Sequence, residues 1–277
     1  MYRYLIVSFM LIAAVFLYNA CSEADDGVGS GDSGTLSIQV TDAPFPVDSI
    51  AKAEVTITKI ELRHADSTDG SPFVTVFEGS YTFNLIDLRN GVVANLPDVE
   101  IPVGTYDLVR IYISDASVEL NNTTVYDLKI PSAAASGLKV FVDPAVEVAG
   151  GLTTELLLDF DLTKSFVARG NIGRPGFNGF IFKPVLRAVN RTMTGRIGGE
   201  VTDTAAVAVA GAQVWAEQDS VVSYTFTDSL GRYALIGLPQ GLYDIHATKA
   251  GYDTASFSGI QVIPGNLTIQ SFVLGNE

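Results

Sequence analysis

One cysteine, one tryptophan and two histidines among 277 residues leave little material for the common kinds of site chemistry. A lone cysteine excludes an internal disulfide, so the thiol of Cys21 is free, paired between chains or modified. His64 and His246 stand far apart in the chain, and neither has a second histidine at metal-ligand spacing. Positive charge is scarce as well, with 17 Lys and Arg against 31 Asp and Glu and a net charge of −14. Phosphate binding needs a basic surface, so nucleic acid is excluded as a partner. Helical periodicity is missing too. No stretch longer than a turn or two repeats its apolar residues at helical spacing, and no strand-turn-helix context exists for a phosphate loop or a nucleophile elbow.

What the chain does have begins at its first residues. Arg3 precedes a nearly continuous apolar run from Leu5 to Leu17, which ends at Ala20 directly before Cys21. Residues 1–20 therefore read as a signal peptide. The alternative is a membrane anchor, but the run falls short of the roughly 20 apolar residues that span a bilayer. Leu17-Tyr18-Asn19-Ala20-Cys21 resembles a bacterial lipobox, which implies cleavage before Cys21 and acylation of its thiol. Residues 21–33 are rich in Gly, Ser and carboxylates and cannot bury enough apolar surface to offset ordering, so they read as a tether. Ser22 with Glu23, Asp25 and Asp26 also resembles a signal that sends gram-negative lipoproteins to the outer surface; a solubilising spacer is the equal alternative. Losing Arg3 takes the net charge to about −15, so attachment to the membrane rests on the Cys21 lipid and not on a basic patch. The expected location is the bacterial cell envelope, as an outer-membrane lipoprotein on the periplasmic side or the cell surface.

Beyond the tether, strand patterns recur. Leu36, Ile38 and Val40 alternate with polar residues, and so do Ala53, Val55 and Ile57 until the phase shifts to Ile60 and Leu62, as a β-bulge would cause. Similar alternations follow at Val109-Ile111-Ile113, Leu156-Leu158-Phe160-Leu162 and Phe180-Phe182, separated by Gly, Pro, Asn and Asp. Short strands without helices predict an all-β chain of two antiparallel β-sandwich domains in tandem, residues 34–190 and 194–277. The pattern restarts with a different texture at Asn190 to Gly195, which marks the boundary.

The first of these segments resembles the bacterial lipoprotein domain known as domain of unknown function 4382. The matching pieces are Gly34-Thr-Leu-Ser-Ile-Gln-Val-Thr-Asp42-Ala-Pro, Ile101-Pro-Val-Gly-Thr-Tyr106-Asp-Leu-Val-Arg110, Pro131-Ser, Ser136-Gly-Leu-Lys139, Leu158-Asp159-Phe160-Asp161 with Lys164-Ser165, and Lys183-Pro184-Val-Leu-Arg187. That family implies an architecture and a setting but no activity. The second segment resembles the carboxypeptidase regulatory-like domain, a transthyretin-like sandwich related to carbohydrate-binding modules. Gly199-Glu-Val201, Ala210-Gly211-Ala212-Gln-Val214, Thr227-Asp228-Ser-Leu-Gly231-Arg-Tyr233, Leu238-Pro239-Gln-Gly241-Leu-Tyr243 and Ala250-Gly251-Tyr252 carry the likeness. Such domains accompany enzymes without being catalytic.

Candidate sites are few. Pro102-Val-Gly104-Thr-Tyr106 and Pro239-Gln-Gly241-Leu-Tyr243 repeat one unit, either a shared ligand loop or one way of entering a sandwich strand from a tight turn with the tyrosine inward. Asp159 and Asp161 share a strand face. They are either a polar face paired with Lys164 or a neighbouring Arg, a calcium site built from hard oxygen donors, or, most remotely, the carboxylates of a hydrolase. Calcium is the one cofactor the sequence suggests. Gly31-Asp32-Ser33-Gly34 matches the tetrapeptide around a trypsin-like nucleophile, but it lies in the tether before any fold begins. Ala212, Val214 and Ala216 share one parity, which places Trp215 on the opposite face with Gln213 and Glu217. An outward indole flanked by amide and carboxylate has the chemistry of a glycan platform; packing across the junction between the domains is the alternative. These features point to a non-catalytic binding or adhesion protein for polysaccharide or another envelope component. A structural display or spacer protein without its own ligand is the competing reading. Intact-mass analysis of the membrane fraction should show a diacylglyceryl-sized addition that vanishes in Cys21→Ser.

Overall fold

The computed structural model describes residues 31–43, 49–66 and 72–276, so the signal segment, Cys21 and most of the tether lie outside the described residues. The N-terminal region runs through β1 (Ser33–Ala43), β2 (Ile50–His64), β3 (Phe73–Asn84), β4 (Ala94–Asn95), β5 (Val99–Pro102), β6 (Gly104–Leu120), β7 (Val125–Asp127), β8 (Leu138–Val148), β9 (Thr153–Asp161), β10 (Phe166–Ala168), β11 (Phe180–Phe182) and β12 (Leu186–Asn190). Ten of these strands form one sheet in the order β3-β2-β6-β8-β12-β9-β1-β4, with β5 on β1 and β7 on β6; β10 and β11 pair separately.

The chain is all-β, as its patterning predicts, but the N-terminal region departs from a purely antiparallel sandwich. β1 runs parallel to β9, from Thr35↔Thr153 to Ala43↔Asp161, and β12 is parallel to β8. Ten of its twelve strands also form one continuous sheet that curls until β3 returns against β5. Inward and outward side chains alternate identically in a curled sheet and in a sandwich, so periodicity cannot separate the two. Bulges supply the bend. The ladders of β2 with both β3 and β6 slip between Ile57 and Lys59, where the apolar phase of the sequence shifts. The slip keeps Ala53, Val55, Ile57, Ile60 and Leu62 all inside the core, which they share with Leu36, Ile38, Val40, Ile111, Leu158 and Phe160.

The C-terminal region contains β13 (Thr194–Asp203), β14 (Gln213–Glu217), β15 (Val221–Phe226), β16 (Arg232–Pro239), β17 (Gly241–Thr248), β18 (Ala255–Val262), β19 (Leu267–Ile269) and β20 (Phe272–Leu274). β16 and β13, with β19 and β20 on the far edge of β13, form one layer; β15-β14-β17-β18 form the other. A separate core of Ile197, Val201, Val214, Ala216, Tyr233, Tyr243, Ile245 and Phe272 fills the space between them. Asp228 closes the Asp228–Gly231 turn: its carboxylate accepts from the backbone N–H of Leu230 and Arg232, and Gly231 takes a φ of +74°.

The repeated Pro-x-Gly-x-Tyr unit solves the same packing problem in both regions. Tyr106 and Tyr243 are buried, and each hydroxyl donates to the carbonyl of the proline four residues earlier at 2.9 Å. A ring that fills the core thus ties down the turn that feeds its own strand.

The two regions meet through hydrogen bonds to the main chain of β16. Arg187 on β12 pairs with Asp159 at 2.7 Å, and its other nitrogens donate to the carbonyls of Gly237 and Ile236. The Asn90 side chain accepts from Ala234 N–H and donates to the Arg232 carbonyl. Leu157 on β9, which points away from the N-terminal core, is buried and lies 2.8 Å from where a Cβ on Gly237 would sit. A side chain there would have to push the Leu157 methyl aside, at a φ of +64° that glycine adopts far more readily than other residues. Replacing Tyr243 with Phe removes one tyrosine bond and should lower unfolding stability by about 1 kcal/mol in a denaturant titration. Arg187→Met leaves the Asp159 carboxylate buried and unpaired; a loss of about 3 kcal/mol is expected, with the single melting transition splitting in two.

Candidate functional site

Strand β14 presents Val214 and Ala216 to the core and Gln213, Trp215 and Glu217 to the outer face of its sheet. Register then decides Trp215's neighbours. It pairs with Tyr224 on β15 and His246 on β17, and His246 pairs in turn with Ser256 on β18. The result is a row of rings across three adjacent strands. The imidazole of His246 stacks on the indole, with centroids 4.8 Å apart and planes 18° from parallel. Ser256 Oγ, 2.7 Å from His246 Nδ1, holds the imidazole in place. The indole Nε1 donates to Glu217 Oε2, which fixes the other axis of the ring.

A groove of about 420 Å³ opens beside this row. Its floor is Gln213, Trp215, Tyr224 and Phe226, and Thr163 and Lys164 of the N-terminal region form one wall. His246 does not line it, so the indole has its imidazole on one side and the groove on the other. Trp215 thus lies on the outer face that parity assigns to it, beside the junction between the regions.

Asp159 and Asp161 flank the same junction. Asp159 is held by Arg187, whereas Asp161 pairs with Lys164 Nζ at 2.8 Å and accepts a hydrogen bond from the Tyr224 hydroxyl at 2.8 Å. Burial raises the pKa of Asp159, and Arg187 opposes that shift. Burial likewise pushes the Tyr224 phenol well above its ordinary range. Among the described residues, no three His, Cys, Asp or Glu side chains come together as a metal cage. His64 packs edge-on against Tyr106 in the other region, so the two histidines are not brought together.

Tyr224 and Phe226 are neighbours of Trp215 that the sequence does not single out, and His246 and Arg187, which it names, are not placed beside Trp215 and Asp159 by any pattern in it. For β15 the pattern points the wrong way: Ser223 and Thr225 are buried toward the core, while Tyr224 and Phe226 face outward. The outer face is where the N-terminal region packs, so the larger rings sit there. The one available signal was register, since a strand paired with Trp215 must place a side chain beside it.

Comparison with known proteins follows the same division. The model described as domain of unknown function (DUF4382) matches residues 33–184, and that described as carboxypeptidase regulatory-like domain matches residues 196–275. No curated protein matches the chain. Among solved structures, a shaft pilin SpaA variant from Lactobacillus rhamnosus GG is 11% identical, with 89% of this chain and 98% of that one covered and a TM-score of 0.25. The minor pilin GBS52 of Streptococcus agalactiae is 10% identical over 87% and 96% of the two chains, with a TM-score of 0.24. A type II cohesin–X-dockerin complex from Acetivibrio cellulolyticus is 18% identical over 30% of this chain, at a TM-score of 0.26, and this chain spans 58% of the length of that one. Likeness at this level carries no inference about role. The first family model covers more than half of the chain and takes in β1 through β11, so the chain belongs to the family described as domain of unknown function (DUF4382).

Proposed function

We propose that the chain is an exported, lipid-anchored envelope protein without catalytic activity, and that it binds polysaccharide in the groove beside Trp215. The supporting observation is the indole itself, held by His246 on one side and by Glu217 through Nε1 while its other side lines the groove. Sugar rings present axial C–H groups that pack on such a plane, and Gln213 and Lys164, which line the groove, can orient hydroxyls. The groove volume falls within the roughly 300–1,000 Å³ of small-ligand sites. Attachment through Cys21 would hold the chain at the membrane, where envelope polymers lie.

A second reading is favoured by the junction. Arg187 and Asn90 fasten the two regions backbone to side chain, as a rigid spacer for display would need. One experiment separates the readings. The full chain is screened against glycans and envelope fractions, and Trp215→Ala is tested on every hit. Under the binding reading the variant loses the hit while its melting temperature stays nearly unchanged. Stability lowered by about 3 kcal/mol with glycan binding retained, or no hit for the wild type, makes Trp215 a packing residue and leaves the spacer.

A further inference from the structure

Aspartate follows a rule in the C-terminal region. Four of the five aspartates after Thr194 open a tripeptide of Asp, then Ser or Thr, then an apolar residue: Asp203-Thr204-Ala205, Asp219-Ser220-Val221, Asp228-Ser229-Leu230 and Asp253-Thr254-Ala255. Asp48-Ser49-Ile50 repeats the pattern in the N-terminal region. The four lie at separate strand connections, β13 to β14, β14 to β15, β15 to β16 and β17 to β18. Thr204, Ser220, Ser229 and Thr254 are all exposed, and so is Ser49.

The fold itself uses little of this pattern. A turn accounts for an aspartate whose carboxylate accepts the N–H two residues on, as Asp203 does from Ala205 and Asp228 from Leu230, both at 2.8 Å. Among the described residues the carboxylates of Asp219 and Asp253 accept no such bond, yet the same tripeptide follows them. The second position is equally idle. Only the Thr254 hydroxyl is engaged, by Thr248, while those of Thr204, Ser220 and Ser229 have no hydrogen-bond partner among the described residues. At the third position Val221 is 53% and Leu230 59% exposed, Ala205 is exposed too, and Ala255 alone packs on the core. A pattern that recurs at the surface and serves nothing inside is one that another molecule reads.

We propose that these tripeptides are acceptor sites for a protein O-glycosyltransferase, which reads the aspartate and the apolar residue and joins a sugar to the hydroxyl between them. The hydroxyl oxygen attacks the anomeric carbon of an activated glycosyl phosphate. The bond from that carbon to the phosphate oxygen breaks, the phosphate leaves with the electron pair, and the hydroxyl proton passes to a base of the transferase. Charge selects a sugar over a phosphoryl group. A phosphate on any of these hydroxyls would stand beside an aspartate in a chain of net charge −14, whereas a neutral saccharide adds bulk and hydration without repulsion. Placement at exposed connections lets the enzyme take the tripeptide without unpairing a sheet. This inference is independent of what the groove binds.

The test is peptide mapping by mass spectrometry of the full chain taken from the organism that makes it, beside the same chain made by cell-free translation. Peptides that carry Thr204, Ser220, Ser229 and Thr254 should be heavier in the native chain by one common saccharide mass, located on those hydroxyls by fragmentation that preserves side-chain bonds. Ser220→Ala and Ser229→Ala should each lose the increment of their own peptide and keep the others. Asp219→Asn should lose the Ser220 increment with its melting temperature unchanged, since that carboxylate holds no turn bond. Equal masses, phosphate-sized increments, or sugar on hydroxyls outside the tripeptides overturn the proposal. Sugar retained on Ser220 in Asp219→Asn overturns it as well, because the aspartate is then not what the enzyme reads.

Discussion

The relation between the two regions depends on the half-buried guanidinium of Arg187. It neutralises Asp159 on one side and satisfies two main-chain carbonyls of β16 on the other. Neither group tolerates burial alone, because a desolvated carboxylate and a carbonyl without a donor each carry a penalty that only a hydrogen-bonded partner removes. Arg187 answers both with one planar fork, a geometry that a lysine does not reproduce. Everything near the groove inherits its position from this contact: Tyr224 reaches Asp161, Lys164 stands opposite Trp215, and Leu157 seats against Gly237.

Much of the architecture was legible in the residues because it follows from period and parity. The phase shift between Ile57 and Ile60 marks a bulge, and the ladder slips there. The parity of Ala212, Val214 and Ala216 puts Trp215 outside, where it stands. The twin Pro-x-Gly-x-Tyr units are structural corners, each closed by its own tyrosine hydroxyl. All of these are local: the information sits within about ten residues of its effect.

What could not be read was long-range. Alternation says which face a residue takes but not which strand lies beside it or in which direction, so the parallel ladders of β1 with β9 and β8 with β12 left no trace in the pattern. β15 shows the same limit more sharply. Its polar residues point inward and its rings outward because a second region covers what would be the solvent face of an isolated sandwich. Parity analysis assumes that one side of a sheet is wet, and β9, with Leu157 and Leu158 both buried, breaks that assumption too. The candidate site forms where the assumption fails, so Trp215 and its strand neighbour Gln213 were visible while Tyr224 and Phe226 were not.

The parallel pairing of β1 with β9 has a mechanical consequence. In a chain tethered ahead of Ser33, tension would enter the fold along β1. The register from Thr35↔Thr153 to Ala43↔Asp161 lies along that line of force, so its hydrogen bonds bear the load side by side in shear. A terminal hairpin pulled from its open end would instead peel, one bond after another. The strand nearest the tether is thus seated in the grip that resists extraction best, with β5 bonded along its other edge.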